Sequence, residues 1–332
     1  MIATLLALAA LAFPQSGARA DESPVLLRYR FHPGETLRYR HEKTERRVQD
    51  VGPSMESRQE TVIRQKTISV GDDGVVGLEM IYEYISLEGR LGSGQSFRFD
   101  SRTDAGSADD AQAQVLRAIV GRPFRATIDA SGNVLSVAGF DEVIEGVVSD
   151  GPGEDRSNPF SAEIVSQMKA SMGNESVRQA LSQAFRTFSD RPVAPGESWS
   201  TVSENRVPLV GTFRVETRHR LAGRDDVPPL SCVVVESAGT ISLAPESGSG
   251  FAGMLIRHTL EGGTVAARLW FAPERGILAR STMHSETSMR IEFPQKPGDG
   301  GRPRGPDYLP QGPIRETSSV DLIMELLPDE AK

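Results

Sequence analysis

Residues 277–293 read Ile277-Leu278-Ala279-Arg280-Ser281-Thr282-Met283-His284-Ser285-Glu286-Thr287-Ser288-Met289-Arg290-Ile291-Glu292-Phe293. One parity holds Ile277, Ala279, Met283, Met289, Ile291 and Phe293 among small Ser and Thr. The other holds Arg280, His284, Glu286, Arg290 and Glu292. Successive side chains of a strand point to opposite faces. The pattern therefore predicts one continuous strand with a wet face and a drier one. At roughly 3.3 Å per residue it would run about 55 Å, several times a usual strand. Such a strand must coil with a strongly curved sheet or break at a bulge.

The same period-two signal recurs on both sides of a helical middle. Strands are predicted at 25–31 and 37–48, joined by His32-Pro33-Gly34-Glu35. Others are expected at 61–70 and 75–87 around Gly71-Asp72-Asp73-Gly74, and at 124–128 and 134–137 around an Asp/Ser/Gly/Asn turn. Residues 211–221 place Phe213, Val215, His219 and Leu221 on one face and Arg214, Glu216, Arg218 and Arg220 on the other. Residues 254–260 and 264–271 flank Gly262-Gly263, and residues 314–326 resume the strand pattern after a Pro/Gly-rich loop. Between these, helices are predicted at 108–120, 141–148, 161–172 and 175–188, the last with Asn174 as N-cap. The fold expected is α+β and mainly antiparallel, a curved, half-barrel-like sheet with amphipathic helices on its concave side.

Length and charge narrow the functions. The chain has 332 residues and a formal net charge of −8. That balance lacks the basic stripe a nucleic-acid surface needs. The single Cys excludes an internal disulfide and a multi-Cys metal site. Ile2 to Phe13 is an apolar run too short to span a bilayer, and Ala18-Arg19-Ala20 fits a signal-peptidase site. Export to a periplasm or cell envelope is expected, with cleavage after Ala20 and no transmembrane span in the mature chain. The organisation read from the sequence is a leader at 1–20, a first β half at 21–139, a helical segment at 140–190, and a second β half at 191–332. The last contains the Pro/Gly-rich loop 294–313.

Two short stretches echo each other. Pro33-Gly34-Glu35-Thr36-Leu37 recurs as Pro195-Gly196-Glu197-Ser198-Trp199, each where a turn enters a strand. The echo suggests duplicated β halves. The hairpin Arg268-Leu269-Trp270-Phe271-Ala272-Pro273-Glu274-Arg275-Gly276-Ile277-Leu278-Ala279-Arg280 resembles that of the periplasmic lipoprotein-carrier (LolA-like) superfamily. The Gly34-Glu35 entry, the Ile128-Asp129-x-x-Gly132 hairpin and the Pro195-to-Trp199 turn resemble an exported bacterial family of unknown function. The carrier resemblance implies an unclosed, curved antiparallel sheet with helices in its hollow. Members of that superfamily bind acyl chains or lipoproteins.

Catalytic constellations are hard to assemble. The five His residues show no H-E-x-x-H spacing. His258 and His284, on strands that could be neighbours, would need Glu286 and facing geometry to hold a metal; exposed strand histidines are the simpler reading. His219, on an apolar face, reads as a buried hydrogen-bonded residue. Cys232 in an apolar strand reads as core. The paired acids and Gly/Ser turns lack the ligand spacing of calcium or phosphate sites. No cofactor and no enzymatic activity is expected. The function expected is an exported binding protein that holds a lipid, acyl or apolar peptide ligand between sheet and helices; its partner could equally be a lipoprotein or another envelope protein. The candidate apolar lining is Met168, Met172, Leu181, Phe185, Phe188, Met283, Met289 and Trp270. The alternative is an envelope scaffold or sensor with a fully packed core and no small ligand. A ligand-sized cavity would separate the two.

Overall fold

The computed structural model describes residues 23–103, 111–129, 133–149, 169, 173–185, 188–207, 210–244, 248–251, 254–293 and 312–328. The expected leader, the helix at 161–172 apart from Lys169 (so Met168 and Met172 too) and most of loop 294–313 lie outside them.

The first part of the chain forms β1 (Thr36–Gln49), β2 (Met55–Val70), β3 (Val76–Leu91), β4 (Ser96–Asp100), α1 (Ala111–Ile119), β5 (Pro123–Ile128) and β6 (Val134–Ala138). Then come α2 (Phe140–Ser149) and α3 (Asn174–Phe185). The rest forms β7 (Ser198–Val207), β8 (Gly211–Arg224), β9 (Val233–Leu243), β10 (Gly248–Phe251), β11 (Met254–Ala272), β12 (Ile277–Glu292) and β13 (Ile314–Leu326). All the strands belong to one antiparallel, curved sheet, in the order β6-β5-β3-β2-β1-β13-β12-β11-β9-β8-β7. β4 adds to β3 and β10 to β11. The sheet is open, with β6 and β7 at its edges. The two β halves share it through the β1–β13 ladder, which pairs Tyr39 with Leu326 and Gln49 with Glu316. The long strand is real: β12 runs unbroken from Ile277 to Glu292. The ladder with β11 takes up the curvature in two bulges, Glu261 on β11 and Ala279 on β12 itself. The second corrects the single face expected, because it turns Leu278 toward the cluster of Leu221 and Phe271 and sets Ile277 and Ala279 apart from Met283.

The sequence echo is a structural repeat. Gly34 and Gly196 share φ +84. The Gly34 amide donates to the Thr67 carbonyl and the Gly196 amide to the Leu221 carbonyl. The Thr67 amide donates to the Glu35 carbonyl, and the Leu221 amide to the Glu197 carbonyl. The following ladders shift register just beyond, at Thr67/Ser69 and Leu221/Gly223. Thus β1-β2-β3-β5-β6 and β7-β8-β9-β11-β12 are two units wound alike, with β13 between them in the sheet. A Cβ at Gly34 or Gly196 meets nothing within 4 Å, so backbone handedness alone opposes substitution. Gly34→Ala and Gly196→Ala should each cost about 1–2 kcal/mol. Matching drops in chemical denaturation would test that equivalence.

The two faces differ. The outer face carries cross-strand ion pairs: Glu83 accepts from Arg38 (2.8 Å) and lies 3.1 Å from Arg64 Nε, and Glu325 lies between Arg40 (2.5 Å) and Arg280 (3.5 Å). Exposed pairs of this kind stabilise weakly but keep the face wet. The inner face carries the core. On the first unit, Val115 and Ile119 of α1 and Phe140, Val143 and Ile144 of α2 pack on Leu78, Met80, Phe124, Ala126 and Ile128. Val177, Leu181 and Phe185 of α3 cover the same cluster. On the second unit a different cluster forms around Leu221, Val233, Val235, Leu269, Phe271 and Leu278.

That second cluster is covered by the segment expected as a strand at 25–31, which corrects the expectation. It is an extended strap rather than a sheet strand. Val25 and Val193 exchange two backbone hydrogen bonds of 2.9 Å, and the Arg30 amide donates to the Gly276 carbonyl. Leu27, 2% exposed, and Tyr29 point into the cluster. Leu27, Tyr29 and Phe31 alternate with Arg28 and Arg30 as strand residues would, so periodicity cannot separate strap from strand. The expected Asn174 N-cap is also corrected. The Asn174 side-chain oxygen accepts from the Phe140 amide at the start of α2, and Asp141 accepts from the Asn174 amide. The polar side chain ties two helix starts together instead of capping its own.

Candidate functional site

Core residues concentrate at one end of the long strands, the end of the β2–β3, β5–β6 and β11–β12 turns. Beyond it the inner face of the second unit continues without helical cover among the described residues. Strand register places Val215 opposite Ile241, and Phe213 opposite Leu243. Val265 lies opposite Ser285, which lies opposite Val320; Ala267 lies opposite Met283, which lies opposite Leu322. Leu260 pairs with Met289. All of these inward residues are half-buried, whereas the intervening outward ones such as Arg214, Glu216, Thr240, His284 and Glu286 are exposed. The result is an apolar trough studded with Ser and Thr. In the first unit α2 and α3 fill the packed end, and α1 reaches the equivalent level, where Ala113 and Leu116 pack with Ile85, Leu87 and Phe99; none of the three helices belongs to the cluster on β8, β9, β11 and β12.

A partly open cavity also exists at the packed end. A cavity of about 200 Å³ is lined by Leu27, Tyr29, Phe31, Phe185, Phe188 and Asp190, among others. The Tyr29 ring meets Phe185 edge-on at 4.9 Å and Phe188 at 5.1 Å. This is smaller than the roughly 300–1,000 Å³ usual for ligand pockets.

The expected lining residues therefore separate. Phe185 and Phe188 border the cavity, and Leu181 packs in the first-unit core. Met283 and Met289 face the trough. Trp270 sits on the opposite face, because Leu269 and Phe271 on either side of it point inward. Its indole N–H donates to Asp225 at 2.9 Å, with the Arg268 and Arg280 guanidinium groups over the ring.

The histidines resolve likewise. His258 pairs with Ile291 and faces inward, while His284 pairs with Ala266 and faces outward, so the two do not share a site. Among the described residues no group of His, Cys, Asp and Glu is arranged to hold a metal. His219 is 3% exposed and spans two hydroxyls, Ser237 Oγ at 2.7 Å and Thr201 Oγ1 at 2.8 Å. Burial pushes its pKa down to about 4, and does the same to His41. Cys232 is fully buried, and burial raises its thiol pKa.

One inner-face feature had not been singled out in the sequence. Lys43, Glu45 and Arg47 share the inward parity of β1, immediately beside the trough. Lys43 Nζ lies 2.7 Å from Glu45 Oε2 and Arg47 Nε 2.5 Å from Glu45 Oε1. Burial alone would raise the Glu45 pKa; the hydrogen bonds and charges of Lys43 and Arg47 outweigh it and hold the group below the usual carboxylate range. The available signal was a β1 sequence, Thr36–Gln49, with charges on both parities.

Residues 73–266, more than half the chain, match a family described as a family of unknown function (DUF6263). The chain belongs to that family. The matched region runs from the β2–β3 turn into β11 and so crosses both units. No curated protein matches the chain. Among solved structures, lipovitellin, titled for its lipid–protein interactions, is similar over 91% of this chain at 12% identity and a TM-score of 0.47. The chain spans 26% of the lipovitellin chain. OpdQ of Pseudomonas aeruginosa is similar at 9% identity and a TM-score of 0.18, covering 89% of this chain and 99% of that one. OccK5 (OpdH) of the same organism gives 6% identity and a TM-score of 0.19 over 89% and 99%.

Proposed function

We propose that this family member is an exported, non-catalytic protein that holds an acyl chain in the trough of its second unit. The carrying observation is the unequal use of a repeated unit: α1 packs over Ile85 and Leu87 of the first, while at the same level of the second the half-buried apolar side chains have no cover from a described helix. A contiguous apolar face left partly accessible is a usual mark of a binding site. The backbone groups of the trough strands are consumed in the sheet, so a ligand meets side chains alone. That favours hydrocarbon over peptide, which draws on a free sheet edge. The apolar leader at residues 2–13 supports export, and the carrier-like hairpin at 268–280 supports the lipid reading.

Native mass spectrometry of protein gently extracted from its own envelope should show a bound lipid mass. Val265→Asp should remove that mass while shifting the melting temperature little, since Val265 is half-buried. A ligand-free wild-type protein that also takes up no added palmitate would overturn the assignment in favour of a ligand-free scaffold.

A further inference from the structure

Lys43, Glu45 and Arg47 stand on the inner face of the fifth strand of the sheet path, where charge is unexpected. Glu45 is 8% exposed, yet it is shared between two cations whose side chains remain 41% and 47% exposed. Three charges with one carboxylate leave an excess of one positive charge. Glu45 is the ion-pair partner of both cations among the described residues, so several of their N–H donors remain available.

The cluster adjoins the trough row by row. Lys43 lies opposite Leu322, which lies opposite Met283; Glu45 lies opposite Val320. On its other side Lys43 faces Gln59 and Glu45 faces Ser57, both polar and half-buried. The inner face thus changes from hydrocarbon to cation and amide within one strand spacing, about 4.8 Å. An amphiphile with an anionic head matches that boundary.

We propose that the ligand of this trough carries an anionic head group, carboxylate or phosphate, received by Lys43 and Arg47 with Glu45 holding the two cations in place. The proposal rests on the acyl-chain reading above. Guanidinium and ammonium donors bind such oxyanions through charge-assisted hydrogen bonds, bidentate in the case of arginine. Gln59 supplies a further amide donor.

The test compares palmitate with hexadecanol, the same chain without the charge, by displacement of a fluorescent fatty-acid analogue from the full-length protein at low salt. Palmitate should bind about tenfold more tightly than the alcohol, and the difference should shrink as salt rises. In the Lys43→Gln/Arg47→Gln double variant the palmitate preference should vanish; a preference that survives there would overturn the assignment. If wild-type protein binds both ligands equally, the anionic-head assignment falls while the acyl-chain reading stands. If neither ligand binds, both fall. Lys43→Arg, which keeps the charge, should retain the palmitate preference; its loss there would also overturn the assignment.

Discussion

Phe271→Ala is expected to destabilise the protein by about 3–5 kcal/mol, the usual range for emptying a fully buried aromatic site. Phe271 is 0% exposed. It lies opposite Val233 on one neighbouring strand and Leu278 on the other. Its ring contacts Phe188 at 4.5 Å and Tyr29 at 5.6 Å. The side chain therefore joins sheet, strap and the stretch after α3, and none of these can collapse freely into the void. At roughly 2–4 °C per kcal/mol, the melting temperature should fall by about 10 °C. The loss should also loosen the strap, so tryptic cleavage after Arg28 and Arg30 should speed up. Phe213→Ala provides the contrast. Phe213 points inward too, but from the trough end of β8, where it is half-buried. It should cost less than half as much. Equal losses at the two positions would mean the trough is a filled core, and the lipid reading would fail with it.

Much of this architecture was legible because alternation is a local property. β12, the β2–β3 and β11–β12 turns, the amphipathic faces of α1 to α3 and the curvature forced by strand length all follow from side chains within a few residues of one another. Pairings that close the sheet do not. That β1 lies against β13, joining the two halves, depends on contacts between residues near opposite ends of the chain, and no short-range pattern records them. The strap failed for a related reason: Leu27, Tyr29 and Phe31 carry a strand's periodicity, but their backbone partners are Val193 and Gly276, far along the chain. Trp270 suits a lining by size and apolarity, yet its parity relative to Leu269 and Phe271 already places it outward. The Pro-Gly-Glu echo, by contrast, was a reliable trace of the repeat, because the left-handed glycine and its two hydrogen bonds demand that local sequence twice.

Acidification should cost the folded protein about 5 kcal/mol between pH 6.5 and pH 4, chiefly through His41 and His219. Both are pushed by burial down to about 4 from the ordinary 6.5. Above pH 6.5 both are neutral, folded or unfolded, and contribute nothing to the difference. As pH falls below 6.5 the unfolded chain takes up two protons that the folded chain refuses, so stability drops until the folded value near 4 is reached. A shift of this size corresponds to about 3 kcal/mol per group as an upper figure. The hydroxyls around His219 do not oppose the change, since Ser237 and Thr201 can each accept as well as donate; loss of hydration does. His258, lowered by burial despite the nearby Glu316, adds in the same direction. His284 acts oppositely, because Asp321 and Glu286 raise its pKa, but it is largely exposed and its effect is small. Below about pH 4.5 protonation of Glu45 begins to add its own loss, as its lowered pKa requires. Urea midpoints measured from pH 7.5 to 4 should therefore fall most steeply between 6 and 4.5. His219→Gln, which can still bond both hydroxyls, should remove about half of that slope; a slope unchanged in that variant would show that His219 is not the neutral, buried group described here.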